Sequence, residues 1–173
     1  WKTWGYSMAL ACFLSLLNVS ATEAKTIYVS DVPSNTNNDG MCWNRPWSFY
    51  NIDWSKVEPG DIIELDGGRN GKTYTGSLNV TRSGTSRAPI RITTSSHPDH
   101  AGQVTLMTGA AAPTYVGIEL NDSSYVNIEG RVINNAAKTK SLNIYGMYRQ
   151  GIHVGQNSTN VNLTNISLFA NGL

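Results

Sequence analysis

Apolar and polar residues alternate along most of this chain in short runs. Thr26-Ile27-Tyr28-Val29-Ser30 has a period of two, as do Ser77-Leu78-Asn79-Val80-Thr81, Ile90-Arg91-Ile92-Thr93 and Val104-Thr105-Leu106, and Asp61-Ile62-Ile63-Glu64-Leu65 reads as a further strand. Such alternation sends successive side chains to opposite faces, so each run predicts a strand with one buried and one solvated face. Pro59-Gly60-Asp61 reads as a tight turn into a buried strand, and Asp66-Gly67-Gly68 as a corner. Positive φ is expected at Gly67-Gly68 and again at Gly84. Asp31 to Gly40 reads as a polar loop. Trp47, Tyr50, Trp54 and Val57 recur near helical spacing and predict a short helix. No later run has the pattern of a long amphipathic helix, which argues against a βαβ sheet.

The second half of the chain repeats itself. Gly117-Ile118-Glu119-Leu120 returns as Gly151-Ile152-His153-Val154, and Ser124-Tyr125-Val126-Asn127-Ile128 as Thr159-Asn160-Val161-Asn162-Leu163. Val132-Ile133-Asn134-Asn135 is matched loosely by Leu168-Phe169-Ala170-Asn171. A period of about 34 residues with strand-type patterning fits one coil of a β-helix, three short strands with turns between them. Stacked coils then put Ile118 on Ile152, Leu120 on Val154, Val126 on Val161 and Ile128 on Leu163. Glu119 beside His153 and Asn127 beside Asn162 form outward columns. Turn asparagines are expected to adopt left-handed backbone and to bond the neighbouring coil. The Trp47 segment is expected to cap the first coil, whose open end would otherwise expose apolar residues. The pattern breaks off in mid-coil at Asn171-Gly172-Leu173, so residues 25–173 read as the N-terminal coils of a longer helix.

The start of the chain has a different character. Ala9 to Leu17 is a short apolar run with Lys2 upstream, followed by the small residues of Val19-Ser20-Ala21 and Thr22-Glu23-Ala24. That is the layout of a secretory signal peptide over residues 1–24, cut after Ala21 or Ala24. The run is well short of the ~20 residues needed to span a membrane, so stable membrane insertion is not expected. Export leaves Cys42 as the remaining thiol, expected to be buried near Trp43 and Trp47. Charge is nearly balanced, with 13 Lys+Arg against 12 Asp+Glu, which argues against electrostatic capture of nucleic acid.

From Tyr28 to Ile92 the sequence resembles secreted right-handed parallel β-helix proteins of the pectate-lyase-like superfamily. The residues that carry this are Tyr28-Val29-Ser30, Asn38-Asp39-Gly40, Pro46-Trp47, Pro59-Gly60-Asp61-Ile62-Ile63, Gly67-Gly68 and Ser83-Gly84-Thr85-Ser86-Arg87-Ala88-Pro89-Ile90-Arg91-Ile92. The resemblance implies an all-β, right-handed parallel β-helix acting on acidic polysaccharide outside the cytoplasm, extracellular or periplasmic, as a monomer when complete. In the lyases it implies a basic residue that removes the proton next to a uronate carboxylate, often with calcium neutralising that carboxylate. Those groups belong to middle coils, so no catalytic residue is carried over to this chain. No cofactor is evident in this segment, and calcium is an expectation for the full-length protein only. A non-catalytic glycan-binding or surface adhesion protein is the other reading.

Candidate polysaccharide contacts are few. Glu119 and His153 form an outward pair that could touch sugar or trade a proton, or could be an ordinary cross-strand pair. Arg131, Lys138, Lys140 and Arg149 form a basic stretch that could meet uronate carboxylates, or a solvated loop. His97-Pro98-Asp99-His100 lacks a third metal ligand. Asp31, Asn35, Asn37, Asp39 and Gly40 lack the late Glu of a calcium loop and read as an Asx-type turn. No P-loop, Gly-x-Ser-x-Gly elbow or CxxC motif occurs.

Overall fold

The structure is a computed structural model that describes residues 23–32, 37–109, 115–134, 137 and 139–172. The leader, Asn35 and Lys138 lie outside the described residues. Three sheets wrap one apolar interior. The first sheet contains β1 (Thr26–Ser30), β2 (Trp47–Ser48), β3 (Ile62–Leu65), β6 (Ile90–Thr94), β9 (Val126–Glu129) and β14 (Val161–Thr164), in the order β14-β9-β6-β3-β1-β2. The second has the order β15-β12-β7-β4, from β4 (Lys72–Thr75), β7 (Val104–Met107), β12 (Leu142–Tyr145) and β15 (Ile166–Phe169). The third stacks β5 (Leu78–Val80), β8 (Val116–Leu120) and β13 (Gln150–Val154). The chain visits the sheets in rotation, and each return adds a parallel strand. That is a parallel β-helix.

The register follows from the alternation. Ile27, Ile63, Ile92, Ile128 and Leu163 are successive partners down the first sheet. The four isoleucines are essentially inaccessible to water. Burying each side chain of this kind contributes about 1.5–3 kcal/mol relative to exposure. The expected stacks also form: Ile118 on Ile152, Leu120 on Val154, Val126 on Val161, and Asn127 beside Asn162.

Turn chemistry repeats with the coils. Asp122, Tyr125, Asn157, Asn160 and Asn165 all have positive φ, and Asn157 Nδ2 donates to Asp122 Oδ1 across the coils at 2.8 Å. Gly67 and Gly84 are required for a different reason than the one expected, since neither has positive φ. A Cβ on Gly67 would sit 2.0 Å from the Gly102 carbonyl oxygen, and one on Gly84 would sit 2.6 Å from that of Tyr125. At both places backbone passes directly over backbone. Gly68, at φ +58°, does supply the left-handed turn.

Two elements depart from expectation. The cap over the first coil is present, but it is strand β2 followed by two single-turn 3-10 helices, Phe49–Asn51 and Trp54–Lys56. Neither start has a side-chain hydrogen-bond cap, and three-residue pieces are too short for an α-helix. Phe49 and Val57 still bury themselves, and Phe49 packs on Tyr74 with ring centroids 4.5 Å apart. Secondly, Val132-Ile133-Asn134-Asn135 is not the counterpart of Leu168-Phe169-Ala170-Asn171. β10 (Val132–Asn134) and β11 (Thr139–Lys140) form an antiparallel hairpin, closed at its base by the Ser141 N–H donating to the Arg131 carbonyl. β15 pairs instead with β12, Leu142 against Ile166. The hairpin is an insertion at one corner, and the coil resumes after it.

Candidate functional site

Inward packing of Ile63, Leu65, Ile90, Ile92, Val126 and Ile128 forces the residues between them onto the outer face of the first sheet. Pairing then aligns Glu64, Thr93 and Glu129 in one column and Arg91 and Asn127 in the next. The Arg91 guanidinium reaches across the coils to Glu129, Nη2 to Oε2 at 3.0 Å, and the Thr93 hydroxyl donates to the Glu129 carbonyl at 3.0 Å. Glu64, Arg91, Thr93 and Glu129, with Ser96 and Arg131, line a cleft of about 310 Å³. Arg131 spends one donor on the Ala101 carbonyl at 2.9 Å, while its buried Nε has no partner among the described residues. Burial holds its guanidinium below the usual pKa, opposed by the nearby Glu64 carboxylate. Sheet, cleft and charges thus form an outer face with two guanidinium groups among hydroxyls and carboxylates. Such groups can meet a sugar carboxylate in bidentate fashion and satisfy ring hydroxyls.

Next to this face, the corner after β3 holds a tight polar cluster. Asp66 is 4% exposed. Its Oδ2 accepts from Ser30 Oγ at 2.7 Å and Lys72 Nζ at 2.8 Å. Its Oδ1 accepts from the Gly68 N–H at 2.7 Å and lies 2.8 Å from His100 Nδ1. Lys72 also pairs with Asp31 at 2.5 Å, and the His100 ring stacks on Trp43 at 4.0 Å. Burial alone would raise the Asp66 carboxyl, but Lys72, Ser30, Gly68 and His100 outweigh it and hold its pKa below the usual range. Lys72 is likewise held above its ordinary value, its desolvation outweighed by Asp31 and Asp66. These groups bond to one another, so the cluster ties three successive turns together.

The sequence candidates scatter over the molecule. Glu119 and His153 do meet, His153 Nδ1 to Glu119 Oε1 at 3.6 Å, on the outer face of the third sheet. Arg131 stands at the foot of the hairpin and enters the cleft of the first sheet. Lys140 donates to Asn165 Oδ1 at 3.1 Å. Arg149 is exposed in the turn after β12, where its N–H donates to the Tyr115 carbonyl. The basic stretch is therefore not one patch. Asp39 forms the expected Asx-type turn, accepting from the Met41 N–H at 3.0 Å, and pairs with Arg45. Cys42 is only partly covered rather than buried. Its neighbour in space is Arg45, whose hydrogen bond holds the thiol below its ordinary pKa.

Among the described residues, no three His, Cys, Asp or Glu side chains converge as a metal-binding set. His100 is engaged by Asp66, and Asp99 by Arg69. The described residues thus offer no convergent acidic set for a calcium ion.

Sequence reading missed Glu64, Arg91 and Glu129 as neighbours. The available signal was the shared alternation of the runs that contain them, read down the coils rather than along the chain. Nothing in the sequence pointed to the pairing of Asp66 with His100.

No protein-family model and no curated protein matches the chain. Among solved structures, the crystal structure of the pectate lyase Pel9A superposes with a TM-score of 0.52 at 19% sequence identity. The match covers 84% of this chain and 36% of the pectate lyase. The chain thus corresponds to about a third of that protein's length, and the likeness establishes the fold: a pectate-lyase-like parallel β-helix.

Proposed function

We propose that this chain supplies the N-terminal coils of a secreted protein that binds an acidic, uronate-containing polysaccharide along the outer face of its first sheet and cleaves it by β-elimination. The observation that carries the reading is the cleft where Arg91 and Arg131 stand among Thr93, Ser96, Glu64 and Glu129. A regular stack of strands offers a polymer a straight track, with a step of about 4.8 Å per coil. A guanidinium can take a uronate carboxylate in place of its protein partner, and it would stabilise the charge that develops as the neighbouring proton leaves. In β-elimination a base removes that proton and its electron pair becomes the new C=C bond. The glycosidic C–O bond then breaks and the departing oxygen takes up a proton. The base must lie within hydrogen-bond reach of the proton, and none of the described residues is assigned to it.

Retention of the protein on immobilised polygalacturonate and alginate tests the reading, together with absorbance of unsaturated uronate products. Replacing Arg91 and Arg131 together by Ala should weaken retention about tenfold or more, the loss expected for charged hydrogen bonds. Retention unchanged in that double variant would remove the cleft from the proposal. The other reading is a glycan-binding β-helix without chemistry. Retention without unsaturated product would select it.

A further inference from the structure

We infer that the leader is removed between Ala24 and Lys25, and that the α-ammonium so created becomes a counter-ion of the buried Asp61 carboxylate. The inference rests on the secretion reading and adds the cut position and its structural use.

Asp61 is 1% exposed. Its Oδ1 accepts from the Lys25 backbone N–H at 3.0 Å. Its Oδ2 accepts from the Glu58 N–H at 2.8 Å and from Lys25 Nζ at 2.8 Å. Lys25 is also where the ordered ladder begins. Its carbonyl accepts from the Ile62 N–H at 2.9 Å, one residue ahead of the Thr26–Ile62 pair that opens β1 against β3. Glu23 and Ala24, by contrast, are exposed and belong to no strand.

Two cut positions fit the small-residue pattern of the sequence, after Ala21 and after Ala24. A cut after Ala21 leaves Lys25 N as a neutral amide behind Thr22, Glu23 and Ala24. Hydrolysis of the Ala24–Lys25 bond breaks that C–N bond, adds the hydroxyl of water to the Ala24 carbonyl carbon and leaves a protonated amine on Lys25. The nitrogen is already 3.0 Å from a desolvated carboxylate oxygen, so a hydrogen bond from a neutral amide to a carboxylate becomes one between two opposite charges. Lys25 Nζ, whose side chain is 30% exposed, is free to share its hydrogen bonds with water. Processing would therefore fasten the first strand of the helix onto the turn before β3.

The test expresses the full chain in a secreting host and sequences the N-terminus of the exported product. The folded product is then treated with an amine-acylating reagent, and labelling of the terminal amine is compared with that in denaturant. A product that starts at Lys25, with the α-amine labelled about tenfold more slowly when folded, is expected from one charge-assisted bond. Asp61→Asn should bring the folded rate towards the denatured one; the comparison within the wild-type protein stands even if that variant does not fold. An exported product that starts at Thr22 or elsewhere, or equal labelling in both states, overturns this inference and leaves the secretion reading intact. Absence of any exported, shortened product overturns both.

Discussion

The two ends of the stack are built differently. At the β1 end, β2 extends the first sheet and the following 3-10 turns carry Phe49 and Val57 into the interior, where they are 4% and 0% exposed. At the β14 end, among the described residues, the inward column is less covered: Leu163 is 39% and Leu168 54% exposed, while Phe169 lies on the outer face beside Tyr145 and is 54% exposed. Both ends use the same alternation and the same ladder of parallel bonds. In this repeat architecture an apolar face is therefore buried by its neighbouring coil and not by its own residues. A coil contributes its full stabilisation only where something lies on both sides of it.

The largest predicted contrast is between one inward side chain at each end. Phe49→Ala should cost about 3–5 kcal/mol through the cavity beside Tyr74, whereas Leu168→Ala, at a half-exposed position, should cost about 1 kcal/mol or less. Denaturant melts of the two variants measure this, and similar losses would show that the ends are equivalent. Next, Asp66→Ala at the covered end should cost about 3 kcal/mol, because it strips partners from Lys72 and His100. Its pH dependence has a definite sign. Asp66 and Asp31 are held below the ordinary 3.8. Their contribution is complete above that value and fades as pH falls through their lower folded pKa values. Lys72 is held above 10.5, so its share is complete below that value and fades as pH rises past it. The wild-type advantage over Asp66→Ala should accordingly hold across neutral pH and shrink in acid.

At the other end, Leu168→Glu with Phe169→Glu should reduce self-association of the chain, since exposed strand edges with apolar faces invite pairing. Sedimentation of the variant and parent at matched concentrations reads it, and identical distributions would count against an adhesive end. The smallest effect belongs to Glu119 and His153, both partly exposed. A double-mutant cycle should give a coupling of about 0.5 kcal/mol or less. A coupling several times larger would mark the pair as more than a cross-strand contact.

The stacking of the repeated coils was legible in advance. Because strand side chains alternate strictly, a recurrence such as Ile118 and Ile152 settles both the inward face and the partner one coil away. Left-handed backbone was expected of turn asparagines as a class, and Asn157, Asn160 and Asn165 adopt it. The hairpin from Val132 to Lys140 was not legible, since its alternation looks like that of a coil strand and only its antiparallel pairing distinguishes it. The cleft was half legible: Arg131 was singled out, but Arg91 and Glu129 join it only when three coils are superposed.

What the amino-acid order determined by itself was the layering: which residues face inward, and which stand above which in the ladders. The corners were decided by the tertiary structure alone. His100 meets Asp66 across 34 residues of chain, and Gly67 meets the Gly102 carbonyl, because turns of unequal length return to the stack at places that no periodicity encodes. Strand pairing is a repeating local rule, whereas a corner contact depends on the full path of the chain between its two residues.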